Sequence, residues 1–301
     1  MKILVTGGTS TVGKHLQQIM PQAVYLSSKD CDLTNYKDTI KVFTEIKPDV
    51  VIHLAALVGG IQDNIARPVE YLEQNILLNT YTIKAAHEVG ASRLIALAST
   101  CIYPDVVSKY PMREEDIFIG PPALTNFNYA YSKRCMIAQI EAYNKQYGTK
   151  YCYITPSNLY SELDTHKKDR AHFVTALLDK IITQEELGNK EVSLLGTGSP
   201  LRQFTYAGDI ANILQLMVEQ DITESFNIAN PENYTIDELA RITFNSLGKS
   251  DWVVSYSQPE MDGQQRRDVS VEKLIRIFPN FSFTKFGDGI KKSYINKINQ
   301  K

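Results

Sequence analysis

The chain opens on a strand, a glycine turn and a helix in immediate succession, and that opening constrains what the rest can fold into. Ile3-Leu4-Val5-Thr6 is a short β-branched run. Gly7-Gly8-Thr9-Ser10-Thr11-Val12-Gly13 follows, and an amphipathic stretch starts at Thr11. Glycines at such a junction permit a tight turn and bring the N–H groups of a helix N-terminus against a pyrophosphate. The same rhythm then repeats. Strands are expected at Lys2–Thr6, Ala23–Leu26, Val50–Leu54, Leu94–Ala98, Tyr151–Thr155 and Glu191–Leu195. Helices are expected between them at Thr11–Met20, Tyr36–Glu45, Pro68–Glu88, Tyr129–Tyr147 and His172–Thr183. Repeated β–α alternation predicts an α/β fold with a doubly wound parallel sheet covered by helices on both faces. After Gly196 the pattern loosens into short strands, a helix near Ile236–Ser246 and segments punctuated by Pro and Gly. The expected organisation is a nucleotide-binding domain over residues 1–160, to which later segments return, and a smaller mixed lobe over 161–301 that binds the substrate.

Several function classes are excluded by charge and residue spacing. Thirty-two Lys and Arg against 34 Asp and Glu give a net charge of −2, which offers no electrostatic footprint for nucleic acid or an anionic membrane. No apolar run reaches the roughly 18 residues of a membrane span. The opening MKILVTGG lacks the long apolar region of a signal peptide, so a cytoplasmic chain is expected. Cys31, Cys101, Cys135 and Cys152 are scattered without metal-type spacing, and the five histidines are equally dispersed, so neither a metal site nor a disulfide framework is expected.

The end of the second strand bears on cofactor choice. An NAD site usually has Asp or Glu there to hold the ribose hydroxyls, whereas a basic residue accommodates the extra phosphate of NADP. Here Leu26-Ser27-Ser28-Lys29 offers hydroxyls and a cation, with no acid before Asp30, which favours NADP(H). Asp32 and Leu33 are candidate adenine contacts. A solvated surface lysine remains the alternative for Lys29.

The strongest chemical signal is Tyr129-Ala130-Tyr131-Ser132-Lys133, with Ser99 upstream at the end of the fourth strand. Residues four apart share a helix face, so the Tyr129 hydroxyl and the Lys133 ammonium can address one site. A nearby cation is expected to lower the tyrosine pKa and make it a usable proton donor or acceptor. Ser99 can orient a carbonyl.

With these residues in order, the chain resembles the extended short-chain dehydrogenases/reductases and, more narrowly, the GDP-L-fucose synthase family. The narrow likeness rests on Ala55-Ala56-Leu57-Val58-Gly59-Gly60-Ile61, Ser99-Thr100-Cys101-Ile102-Tyr103-Pro104, Gly120-Pro121-Pro122 and Pro156-Ser157-Asn158-Leu159-Tyr160. It continues through Ala171-His172-Phe173, Gly196 to Phe204, and Asp262-Gly263-Gln264-Gln265-Arg266-Arg267. The resemblance implies a Rossmann-type fold, a homodimer through the two long helices, and epimerisation at C3 and C5 of GDP-4-keto-6-deoxy-mannose followed by NADPH-dependent reduction at C4. It implies Cys101 as the base and His172 as the acid of epimerisation, with Ser99, Tyr129 and Lys133 serving the reduction. Gly7, Ser10, Thr11, Val12, Gly13, Lys29, Asp32, Leu33 and Ala55 would hold the cofactor together with Tyr129 and Lys133. Asn158, Lys180, Arg202 and Arg267 would hold the nucleotide-sugar, since arginine offers a diphosphate a bidentate fork. Four departures stand out: Ser10 for a glycine, Lys180 for an arginine, Leu195 for a tryptophan, and Ser161-Glu162 for a Gly-Pro pair. Two other readings stay open. One is reduction of a related GDP-4-keto-deoxy sugar, such as a dideoxyhexose or heptose, with or without epimerisation. The other is a catalytically silent NADP-binding sensor.

Overall fold

The computed structural model describes residues 1–164, 173–262 and 264–300. In chain order the first half runs β1 (Ile3–Thr6), α1 (Thr11–Ile19), β2 (Val24–Leu26), α2 (Tyr36–Ile46), β3 (Val50–His53), α3 (Ile61–Ala66), α4 (Pro68–Glu88), β4 (Arg93–Leu97), α5 (Phe127–Tyr147) and β5 (Lys150–Pro156). The second half runs β6 (Asn158–Tyr160), α6 (Phe173–Glu186), β7 (Glu191–Leu195), β8 (Leu201–Arg202), β9 (Phe204–Tyr206), α7 (Ala207–Glu219) and β10 (Phe226–Ile228). It ends with β11 (Tyr234–Thr235), α8 (Ile236–Ser246), β12 (Val253–Ser257), α9 (Glu272–Ile277) and α10 (Phe286–Asn299).

Six strands form one sheet in the order β10-β5-β4-β3-β1-β2, and every neighbouring pair is parallel. Both faces are covered, which is why the strands read as continuous apolar runs. Alternation assigns the side chains: Leu4, Val51 and Leu94 join Phe43, Ile83 and Ile137 in one core. Ile3, Val5, Val50 and Ile52 join Leu16, Ile210 and Leu214 in the other, where α1 packs on α7. The fold is therefore the expected doubly wound α/β sheet. Its sixth strand, Phe226–Ile228, and the helix before it come from the second half of the chain, beyond the last strand anticipated there.

The smaller lobe has its own core, built from Leu177, Ile181, Val192, Leu194, Leu239 and Phe244. Three two-stranded sheets frame it: β12 parallel to β7, β11 antiparallel to β8, and β6 parallel to β9. Among the described residues no helix is long and apolar enough to cross a membrane, and no cluster of His, Cys, Asp and Glu could hold a metal ion.

Candidate active site

A cavity of about 550 Å³ opens at the carboxyl ends of β1, β2 and β3. Gly7, Ser10, Thr11 and Val12 line it from the turn, Ser27, Ser28, Asp32 and Leu33 from the segment after β2, and Ala55 from beyond β3. Ligands of open α/β sheets bind in this crevice. The turn requires its glycines for different reasons. Gly7 has φ +73°, and a Cβ there would stand 2.7 Å from the Ala55 nitrogen. Gly13 does not line the cavity; a Cβ on it would meet the Gly7 carbonyl oxygen at 2.5 Å, so its part is to let α1 close on the turn. Ser10 turns its departure into a helix cap: with φ −67° its Oγ accepts the Gly13 N–H at 3.1 Å. The helix N-terminus that faces the cavity, together with this close-packed turn, fits a dinucleotide pyrophosphate.

Two carboxylates stand after β2, and each is already engaged by its own turn. Asp30 accepts from the Ser27 Oγ and N–H at 2.6 and 2.8 Å, and Asp32 from the Thr34 Oγ1 and N–H at 2.7 and 2.9 Å. These bonds hold both carboxyls below the usual range. Lys29 is exposed and lies outside the lining of this cavity. The β2 end therefore offers the cavity two serines and no uncommitted acid.

Ser99 and Cys101 meet in a 3₁₀ turn over Thr100–Ile102, where the Ser99 Oγ accepts the Cys101 N–H at 3.3 Å. That bond uses a lone pair and leaves the hydroxyl proton available to a substrate oxygen. Tyr129 and Lys133 lie on the first turns of α5 and are buried. The Lys133 Nζ donates to the carbonyl of Leu97, a cavity-lining residue, at 2.8 Å. Burial pulls Lys133 down to about 7. Burial also pushes the Tyr129 hydroxyl well up, and nearby Cys101 and Tyr71 add to the push. The expected lowering of Tyr129 by Lys133 is thus corrected: desolvation dominates, and the lysine is bonded to a carbonyl. His172 lies outside the described residues.

A second cavity, of about 260 Å³, is lined by Lys180 on α6, Arg202 on β8, Leu195, Phe173, Leu177 and Asp262 among others. The Lys180 Nζ donates to the Ser193 carbonyl at 2.6 Å, and Arg202 Nη1 to the Leu201 carbonyl at 2.8 Å. Burial and then the charge of Arg267 bring Arg202 down to about 10, with Asp262 and Tyr110 partly offsetting them. Arg202 and Arg267 are thus close enough to repel, an arrangement suited to an anion of two phosphates. Asn158 lines neither of these cavities; its Nδ2 donates to the Gln203 carbonyl at 3.0 Å and ties β6 to β9. The lining residues missed in sequence are apolar, Ala176, Leu177, Leu194 and Ile236, whose convergence no local spacing signals.

The sequence pattern of the NAD dependent epimerase/dehydratase family matches residues 3–229. The chain belongs to this family. As a member of it, the chain is 32% identical to the probable GDP-L-fucose synthase of Drosophila melanogaster, over 99% of this chain and 98% of that protein. It is 30% identical to the GDP-L-colitose synthase of Yersinia pseudotuberculosis, over 100% and 99% of the two chains. Among solved structures, a GDP-L-fucose synthetase from Naegleria fowleri bound to NADP superposes with a TM-score of 0.88 at 28% identity, over 99% of this chain and 92% of that one.

Proposed function

We propose that this family member is a bifunctional NADPH-dependent epimerase/reductase that converts GDP-4-keto-6-deoxy-D-mannose to GDP-L-fucose. The observation that carries the reading is the meeting of Ser99 and Cys101 at the end of β4 with buried Tyr129 and Lys133, beside a cavity shaped for a dinucleotide. A C4 ketone acidifies the protons on C3 and C5. In this reading the Cys101 thiolate removes one of them, and His172 returns a proton from the opposite face. Ser99 donates to the C4 oxygen. When bound, NADPH supplies the hydride that reduces C4. Tyr129, held protonated by its burial, gives its hydroxyl proton to the C4 oxygen, and Lys133, one turn on along the same helix, would offset the tyrosinate left behind. Arg202, Arg267 and Lys180 hold the diphosphate, and Asn158 orders the β6 edge.

The protein acts in this reading as a cytoplasmic homodimer joined through α4 and α5, whose exposed Val69, Leu77 and Tyr147 supply apolar contact. A second reading, reduction of a dideoxy GDP-sugar, is favoured by the full-length likeness to the colitose synthase and by Leu195, which lines the second cavity while half exposed. The deciding experiment incubates the protein and NADPH with GDP-4-keto-6-deoxy-mannose or its 3-deoxy counterpart, and identifies the sugar formed. GDP-L-fucose from the first substrate supports the proposal. Turnover of the second alone replaces it. The Tyr129→Phe variant should lose about 10²–10⁴-fold in NADPH consumption.

A further inference from the structure

Thr6, His53 and Asn79 are buried polar residues, none more than 1% exposed, that no step above uses. They form a hydrogen-bonded chain whose direction is set by chemistry. The Asn79 Nδ2 donates to the Ser132 carbonyl at 3.5 Å, so its Oδ1 is the atom that faces His53 Nε2 at 3.0 Å. An amide oxygen only accepts, so Nε2 carries the ring proton and Nδ1 is a bare acceptor. The Thr6 hydroxyl, 2.7 Å from Nδ1, therefore donates to it, and its oxygen accepts the Ala55 N–H at 3.4 Å. Every donor points the same way: Ala55 to Thr6, Thr6 to His53, His53 to Asn79, Asn79 to Ser132. One end is an Ala55 that lines the cofactor cavity, and the other is the residue before Lys133.

We propose that His53 and Asn79 are positioning residues, which fix the Lys133 turn of α5 against the Ala55 edge of the cavity and keep a neutral, single-tautomer imidazole behind the lysine. The chain crosses three elements, β1, β3 and α4, before reaching α5, so it locks a register that helix packing alone leaves to apolar contacts. A charged imidazole there would oppose the ammonium. Burial, then the Lys133 charge, bring His53 down to about 3, so the ring stays neutral at working pH. The inference rests on the reading of Tyr129 and Lys133 as the proton-delivering pair.

The test combines a spectrum and a kinetic split. In ¹⁵N-histidine NMR, with His53 assigned by the loss of its signals in His53→Gln, Nε2 should be protonated and Nδ1 bare from about pH 5 to 8. Asn79→Leu should abolish that single-tautomer signature and lower kcat about tenfold, with the KM for NADPH changed less than about threefold. Thr6→Val, nearly isosteric, leaves the Asn79 acceptor in place, so it should keep the Nε2-protonated tautomer while lowering kcat about tenfold, and it serves where Asn79→Leu does not fold. A control, Thr243→Val, removes a buried hydroxyl that bonds only within α8, to the Leu239 carbonyl, and should leave kcat within about twofold. An Nδ1-protonated or doubly protonated His53 overturns the proposal, as does wild-type kcat in both folded variants. The spectrum needs no turnover, so an unmodified protein that fails to consume NADPH with the GDP-sugar overturns the functional reading, while a wrong tautomer overturns the chain alone.

Discussion

Arg202 is expected to stabilise the substrate at the expense of the fold, and the two effects can be separated in one variant. Its guanidinium is largely buried, faces Arg267, and is drawn down from its ordinary range above 12 to about 10. At about 1.36 kcal/mol per pH unit, that displacement corresponds to roughly 3 kcal/mol of disfavoured charge. The sign follows from linkage: a cation whose pKa is lowered by folding binds protons more weakly in the native state. Its cost is therefore present below pH ~10 and relieved as the pH rises above it. Arg202→Met keeps the length of the side chain and removes the charge. It also loses bonds to the Leu201 and Asp262 carbonyls, each worth about 1 kcal/mol. The expected net gain is therefore about 1 kcal/mol, read as a rise of about 2–4 °C in Tm at neutral pH. Substrate binding moves the other way, because charge-assisted bonds to a phosphate contribute about 1.5–3 kcal/mol. KM for the GDP-sugar should rise about 10–150-fold. Thermal unfolding with and without GDP measures both: GDP should raise the Tm of the unmodified protein and leave that of the variant nearly unmoved. An Arg202→Met protein that is less stable, or that still gains from GDP, refutes the reasoning.

The protein should prefer NADPH to NADH, because the carboxylates after β2 are committed to their own turns. Ser28→Asp, which places an acid on the cavity wall, should reduce the NADPH-to-NADH ratio of kcat/KM at least ~10-fold, more than Lys29→Glu outside the wall; equal kcat/KM for the two cofactors in the unmodified protein would dismiss the idea. Cys101→Ser should lose most solvent-deuterium incorporation at C3 and C5 while still consuming NADPH to give a product unchanged at those carbons, and the ordinary epimerised product at the ordinary rate would make this cysteine structural. Stability of the apoprotein should rise with pH from about 7 towards 10.5, since unfolded Lys133 keeps a proton there that the buried lysine has lost; chemical denaturation of Lys133→Met should show a flatter profile, and an unchanged slope would argue against the buried lysine as its source.

The strands around the first cavity were legible because both faces of the sheet are covered, so β1, β3 and β4 appear as unbroken apolar runs. After Gly196 the helix Ile236–Ser246 was legible, but the return to the main sheet was not, for reasons visible in particular residues. The strand Phe226–Ile228 is three residues long, with an asparagine in its middle. Asn227 is buried there because its Oδ1 accepts the Tyr103 hydroxyl at 2.7 Å and its Nδ2 donates to the Ser270 carbonyl at 3.2 Å. Such partners come from 43 to 124 residues away and leave no local trace. The helix α7 likewise begins Ala-Gly-Asp, a weak start, and carries a buried Asp209 that accepts from the Thr284 N–H and hydroxyl at 2.9 and 2.8 Å. In the site, residue type and spacing singled out Ser99, Tyr129 and Lys133 as candidates, while Cys101 and His172 came from the family resemblance. Neither spacing nor resemblance revealed that Lys29 lies off the wall, that Asn158 is a strand tie, or that burial outweighs Lys133 in setting Tyr129.

The Ser161-Glu162 departure illustrates how a sequence difference near a pocket can belong to the scaffold. In the structure neither side chain lines the cavity that holds Lys180 and Arg202. Ser161 Oγ lies 2.7 Å from His15 Nε2 on α1 and accepts the Leu163 N–H at 2.9 Å. The Glu162 carboxylate accepts the Tyr206 hydroxyl at 2.7 and 2.8 Å, and its carbonyl accepts the Asn296 amide at 2.5 Å. A Gly-Pro pair has no side-chain oxygen for any of the first four bonds, so in this chain the pair joins the cofactor-side helix to β9 and α10. Desolvation holds the His15 pKa below its ordinary value, against the pull of Glu162. The junction and the cofactor cavity share a border, since Tyr160 and Asp164, on either side of the pair, both line the cavity. The pair therefore ties the lobe to the cofactor-side helix, and the departures that line the second cavity are Lys180 and Leu195.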